Sequence, residues 1–166
     1  MYTVSITEDD VVEALAVFLQ PFCGASTIAR TQVNRVAMPP SPCVMLTPIL
    51  TVDLSTPIVT NDDVAETSDI RAPARIDVQI DFYGPTAADF CKATKGVWRT
   101  SYATDQFPSG IKPLYCDDGR NSPLVTGEEQ YESRWTLTAS MQYNPDVTVP
   151  QQSAEELAAS VIQADS

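Results

Sequence analysis

The residues nearest to chemistry in this chain are carboxylates. Asp77 and Asp81 lie in the run Arg75-Ile76-Asp77-Val78-Gln79-Ile80-Asp81-Phe82, with Gln79 between them. On an extended backbone alternate side chains share one face, so the two acids stand on the same side. Paired carboxylates could serve as acid and base in a hydrolysis, with Glu132 as a third candidate. The alternation with Ile76, Val78, Ile80 and Phe82 has a plainer explanation, namely the polar face of a half-buried strand turned to solvent or to a partner. Asp62-Asp63 and Asp117-Asp118 could hold calcium or magnesium. Neither has the alternating ligand spacing of a cation loop, so both read as solvated turns. Gly84-Pro85-Thr86 could offer amides to an anion at a helix start, but a strand-to-helix turn needs the same residues.

Several chemistries are excluded outright. The chain has no histidine, which removes Ser-His-Asp, Cys-His and histidine-metal sites. No Gly-rich phosphate loop occurs. The four cysteines, Cys23, Cys43, Cys91 and Cys116, have long irregular gaps and no Cys-x-x-Cys. Zinc patterns are therefore missing, and in a reducing compartment free thiols packed as small hydrophobes are expected. No catalytic residue, metal or cofactor is expected, and the chain is read as a non-enzyme.

The charge narrows the partners. Ten basic residues against 22 acidic give a net charge of −12. Such a surface disfavours binding to a phosphate backbone. The opening MYTVSITEDDVV lacks a basic stretch and a long apolar stretch, so no secretory signal is expected. No segment reaches the ~20 apolar residues of a membrane helix.

The elements that must hold these residues follow from periodicity. Thr7 caps a helix to Phe22, with Glu8, Asp9 and Asp10 at the positive end of its dipole. Its apolar stripe includes Val11, Leu15, Phe18 and Leu19. Gln32 to Val36 is a short strand candidate. Cys43 to Leu54 reads as a strand, and Pro48 requires an edge or a bulge there. Ser55 to Pro73 is acidic, lacks a clean period and reads as a long loop. Arg75 to Phe82 is the sharpest strand. A helix follows from Pro85 or Thr86 to about Tyr102, then a loop from Asp105 to Gly110. Ile111 to Asp117 holds Pro113 and reads as an edge strand. Tyr131 to Tyr143 reads as a long strand with Glu132, Arg134, Thr136 and Thr138 on its polar side. Asp146 to Gln152 is extended, and Ser153 to Ile162 reads as a short helix with Leu157 and Val161 on a narrow stripe.

Certain stretches resemble the phage neck terminator, or tail-terminator, family. They are VSITEDDVVEALAVFL, QVNRVAMPPSPCVMLTPI, VQIDFYGPTAADF with VWRTSYATDQF, IKPLYCDDGRNSPLVTGEEQYESRW and MQYNPDVTVPQ. IDFYGP before an Ala-rich helix is the most characteristic, followed by PLYCDD and GEEQYESRW. The resemblance runs from about Ile6 to Gln151 and carries no catalytic motif.

The resemblance implies an α+β fold, with an antiparallel or mixed β-sheet packed by helices on one face. Residues 1–145 are expected as the terminator-like domain and 146–166 as an extended C-terminal arm with a short helix. It also implies a structural virion protein of the tail and neck, assembled in the host cytoplasm. A homohexameric ring would cap the tail tube protein and join a neck or connector protein, with the tail sheath a further candidate partner. DNA would pass through without sequence-specific binding, and no membrane is involved. The alternative is a head-completion or connector subunit on the portal side. Interface residues are expected at Tyr83, on the row Arg75, Asp77, Gln79 and Asp81, at Glu132 and Arg134, and at Leu157 and Val161.

Overall fold

A computed structural model describes residues 2–24, 26–31, 37–122, 124–125 and 131–151. In chain order the elements are β1 (Thr3–Val4), α1 (Glu8–Cys23), β2 (Thr27–Arg30), β3 (Cys43–Asp53), β4 (Ile58–Asp62), β5 (Thr67–Arg71) and β6 (Ala74–Tyr83). They continue with α2 (Ala87–Trp98), α3 (Ser101–Gln106), β7 (Ile111–Cys116), β8 (Arg120–Asn121), β9 (Leu124–Val125), β10 (Tyr131–Glu132), β11 (Arg134–Tyr143) and β12 (Asp146–Pro150). The fold is α+β, as expected.

The main sheet has the order β2-β3-β6-β11-β7, with β8 also pairing β11. Only β2 and β3 run parallel, so the sheet is mixed. The alternation in β6 sends Ile76, Val78, Ile80 and Phe82 to one face, where all four are fully buried. The register places Leu46 of β3 and Leu137 of β11 on either side of Ile80. Helix α1 adds Val11, Leu15, Phe18 and Leu19 to this core, and α2 adds Ala87, Cys91 and Trp98. Phe18 packs edge-on against Trp98 at 5.5 Å and stacks on Phe107 at 5.1 Å. Burying these large apolar groups supplies ~1.5–3 kcal/mol each and fixes the helices on one side of the sheet.

Local signals account for the ends of α1. Thr7 Oγ1 accepts from the Asp10 amide at 3.3 Å, and the Asp10 carboxylate accepts from the Thr7 amide at 2.7 Å. This reciprocal cap satisfies two orphan donors. The Thr7 hydroxyl, donating to Asp10 Oδ2 at 2.6 Å, and then the Thr7 amide hold the Asp10 carboxyl below its ordinary range. Gly24 closes the helix at φ 56°, a conformation open to glycine. In β3, Pro48 pairs with Val78 and Leu50 with Asp77, leaving Ile49 as the extra residue. The required irregularity at Pro48 is thus a bulge. β7, with Pro113, lies at the sheet edge.

Other expectations need correction. Ser55 to Pro73 is not a loop but carries the hairpin β4–β5, paired in regular register from Ile58↔Arg71 to Asp62↔Thr67. The second helix stops at Trp98, because Thr100 is extended and starts α3, which takes up Tyr102 and Asp105. The last long strand begins at Arg134. Tyr131 and Glu132 turn aside to pair with β9. β2 was not expected. The extended stretch after Pro145 is β12, paired with β1 on one side and β5 on the other. Gln151 then donates its amide to Glu66 O at 2.8 Å. The expected strand at Gln32 to Val36 and helix at Ser153 to Ile162 lie outside the described residues.

The second sheet, β1-β12-β5-β4, is antiparallel and continues the main one. Leu54 N bonds Pro73 O at 2.8 Å on one side of the joint, and Ala72 N bonds Pro145 O at 3.3 Å on the other. So β4 extends the β3 side of the molecule, away from β7.

Candidate functional site

The polar side of β6 forms a cross-strand network on the sheet face opposite the helices. Register sets it up: Tyr83, Asp81 and Asp77 face Arg134, Thr136 and Ser140 of β11. Asp81 accepts from Thr136 Oγ1 at 2.5 Å, Gln79 Nε2 at 2.8 Å and Arg134 Nε at 3.1 Å. Asp77 accepts from Ser140 Oγ at 2.6 Å and Arg75 Nη2 at 3.2 Å. The Arg134 guanidinium lies over the Tyr83 ring at 5.7 Å, and that of Arg75 over Tyr115 at 6.0 Å. Both distances fit a cation–π contact.

Of the two expectations for this face, solvent or a partner, the first is corrected here. Asp81 is 3% exposed and Asp77 9%, so β6 is buried on both faces at these positions. As a central strand it is flanked on both sides, and long neighbours such as Arg134 and Met45 stand beside Asp81. Buried carboxylates are tolerable when their lone pairs are occupied by charged and hydroxyl donors, as here. The arrangement holds the sheet face rigid, and it engages both acids as acceptors. Burial raises the Tyr83 hydroxyl pKa, helped by Asp81, so Tyr83 stays neutral at ordinary pH.

The other expected residues separate. Glu132 sits in β10, outside the Arg134–Tyr143 ladder. Its charge still reaches Cys43 and Tyr83. Leu157 and Val161 lie outside the described residues. The acid pairs serve turns and ion pairs. Asp62 Oδ1 accepts from the Val64 and Ala65 amides at 3.0 Å. Asp117 accepts from Thr138 N at 2.5 Å and Arg120 at 3.0 Å, while Asp118 pairs with Lys95. Among the described residues no group of three or more His, Cys, Asp or Glu could hold a metal ion. Gly84, at φ 110°, spends its amide on Ser133 O at 3.0 Å and makes the strand-to-helix turn. A Cβ there would stand 2.8 Å from Ser41 Oγ, so only glycine fits.

All four thiols are free, with Cys116 partly exposed and the others buried. Burial pushes Cys23 up to about 12 and Cys91 up to about 11. Thiols held protonated in this way are poor nucleophiles.

Sequence reasoning missed the most exposed apolar surface. Ile58 and Val59 of β4 are 59% and 58% exposed, and Val64 at the hairpin turn is 96% exposed. Among the described residues β4 pairs only with β5 and stands at the sheet edge. The signal was present in Ile58-Val59-Thr60 before the turn-forming Asn61-Asp62-Asp63, a strand-then-turn pattern.

A surface of paired arginines and carboxylates on an ordered sheet, with an exposed edge strand among the described residues, is suited to assembly. No curated protein matches the sequence. The family model described as phage neck terminator protein matches residues 9–165. With nearly the whole chain covered, the protein belongs to the phage neck terminator family and is a structural protein of the phage neck.

Proposed function

We propose that this protein forms a homohexameric ring that closes the tail tube and joins it to the neck connector. The observation that carries this reading is the family match across residues 9–165. Its neighbours are then the tail tube protein on one side and a neck or connector protein on the other, with the tail sheath a further candidate. DNA passes through the ring without sequence-specific contact. The net charge of −12 per chain supports this, because an acidic wall repels phosphate. Assembly takes place in the host cytoplasm. No helix among the described residues is long and apolar enough to cross a membrane.

The geometry supports an assembly role over turnover. Asp77 and Asp81 are engaged by arginine, glutamine and hydroxyl donors. The row Arg75, Asp77, Gln79, Asp81, Tyr83 and Arg134 would meet a neighbour through its partly exposed members Arg75, Gln79 and Arg134, with Glu132 near it. The C-terminal arm expected at 146–166, with Leu157 and Val161, is proposed to contact an adjacent subunit. Ending the chain at Gln151 keeps β12 and should weaken ring assembly without unfolding the subunit.

Mass photometry of the purified protein, alone and with tail tube, tests this reading. A six-copy species is expected. A strict monomer at high concentration even with tube present, or a twelve-copy ring, would contradict it.

A further inference from the structure

The hairpin β4–β5 and the surface of α2 lie on opposite lateral sides of the molecule. β4 extends the β3 side of the combined sheets, whereas α2 packs over β11, β6 and β7, on the half of the main sheet away from β3. The two places also differ in charge. The hairpin carries Asp62, Asp63, Glu66 and Asp69, and its one base, Arg71, is taken by Asp146 at 2.7 Å. Its strand edge bears none of the usual protection against pairing: β4 contains no proline, no lysine and no bulge. On α2, Lys92, Lys95 and Arg99 follow one another at helical spacing, and all are exposed. A cavity of about 570 Å³ beside them is lined by Lys95, Arg99, Cys116, Asp117, Asp118 and Arg120. Lys95 and Arg120 already hold Asp118 and Asp117. Lys92 and Arg99 therefore supply the charge offered outward. The helix surface between them is low, since Ala93 is exposed and a Cβ on Gly96 would meet nothing within 4 Å.

We propose that the hairpin of one copy docks on α2 of the next, with Asp63 and Glu66 meeting Lys92 and Arg99. The occupant of this surface is a second copy of the same chain. Complementary charge argues for it, because basic residues are scarce on this acidic chain and these two stand together. Like charge argues against hairpin pairing with hairpin. A contact between two different surfaces on opposite sides is heterologous, the kind that closes rings. The proposal rests on the ring reading and names its contact.

Charge exchange tests it. Asp63 and Glu66 have no side-chain partner among the described residues, whereas Asp62 accepts from the Val64 amide and Asp69 from Thr148 Oγ1 of β12. Lys92 and Arg99 form no ion pair there either. One variant carries Asp63→Lys and Glu66→Lys, the other Lys92→Glu and Arg99→Glu. Each alone should weaken assembly on the order of tenfold or more and invert its salt dependence, because salt then screens a repulsion rather than an attraction. Thermal unfolding should match the wild type, as all four sites are on the surface. Mixed in equal amounts, the two variants should regain the ring, alternating around it. If wild-type chains form rings but either variant assembles normally, or the mixture fails to recover, the contact is wrong and the ring reading survives. If wild-type chains form no ring at all, both readings fall together.

Discussion

β6 and β4 are both regular antiparallel strands, yet they live in different environments. β6 has a partner on each side, and its apolar face is sealed by three helices. Its polar face is closed by ion pairs along the strand, Arg75 with Asp77, and across to β11, Arg134 with Asp81. Among the described residues β4 has one partner, and every residue of it is exposed. The main sheet thus satisfies its polar and apolar groups within one subunit. The second sheet leaves a strand edge and a set of β-branched side chains unmatched. The difference separates what folds this protein from what is left over for assembly.

The largest expected effect comes from Ile80→Asp, which places an unpaired carboxylate at a fully buried position beside Leu46 and Leu137. Cooperative thermal unfolding should vanish. A soluble variant with a sharp melt would overturn the assigned strand face. Next is Asp81→Ala, which strands the Arg134 guanidinium and removes three acceptor contacts. A loss of ~2–3 kcal/mol in urea unfolding is expected, less than for a fully buried pair because Arg134 is partly exposed.

The second sheet should respond more weakly. Arg71 holds the Asp146 carboxyl below its ordinary range. A carboxyl depressed in the folded state stabilises fully above its unfolded pKa of about 4 and loses that contribution as pH falls through the depressed value. Wild type should melt above Asp146→Asn at pH near neutrality, and the gap should close under acid. A gap that stays constant into strong acid would show that the Arg71 pair is not its source. The smallest effect on the subunit is expected from Val59→Asp, within about 0.5 kcal/mol of wild type. The same kind of substitution thus separates the two strands. A Val59→Asp variant as unstable as Ile80→Asp would erase the distinction drawn between them.

Much of the main sheet was legible because its signals are local. The alternation of Arg75 to Phe82, the Thr7 cap and the proline at position 48 each dictate structure within a few residues. Other features depend on distant partners. Asp77 and Asp81 read as solvent-facing because burial on that side comes from Arg134, Thr136 and Ser140 on a strand more than fifty positions away. β2 is too short to show a period, and it exists by pairing with β3. The hairpin was obscured by its acids, which dilute the apolar alternation, although the turn residues Asn61-Asp62-Asp63 announce it. The break between α2 and α3 had a local mark in Thr100, whose extended backbone starts the second helix. As for the candidate site, the polar row itself was visible from sequence, but its saturation was not, and Tyr115 over Arg75 could not be read from either strand alone.

An averaged electron-microscope image of the particle neck tests the central claim most directly. The expected result is one ring of six copies seated on the last turn of the tail tube, with each subunit's β4–β5 hairpin lying against the next. A twelve-fold ring on the portal side, or density for this chain at no position between tube and connector, would contradict it.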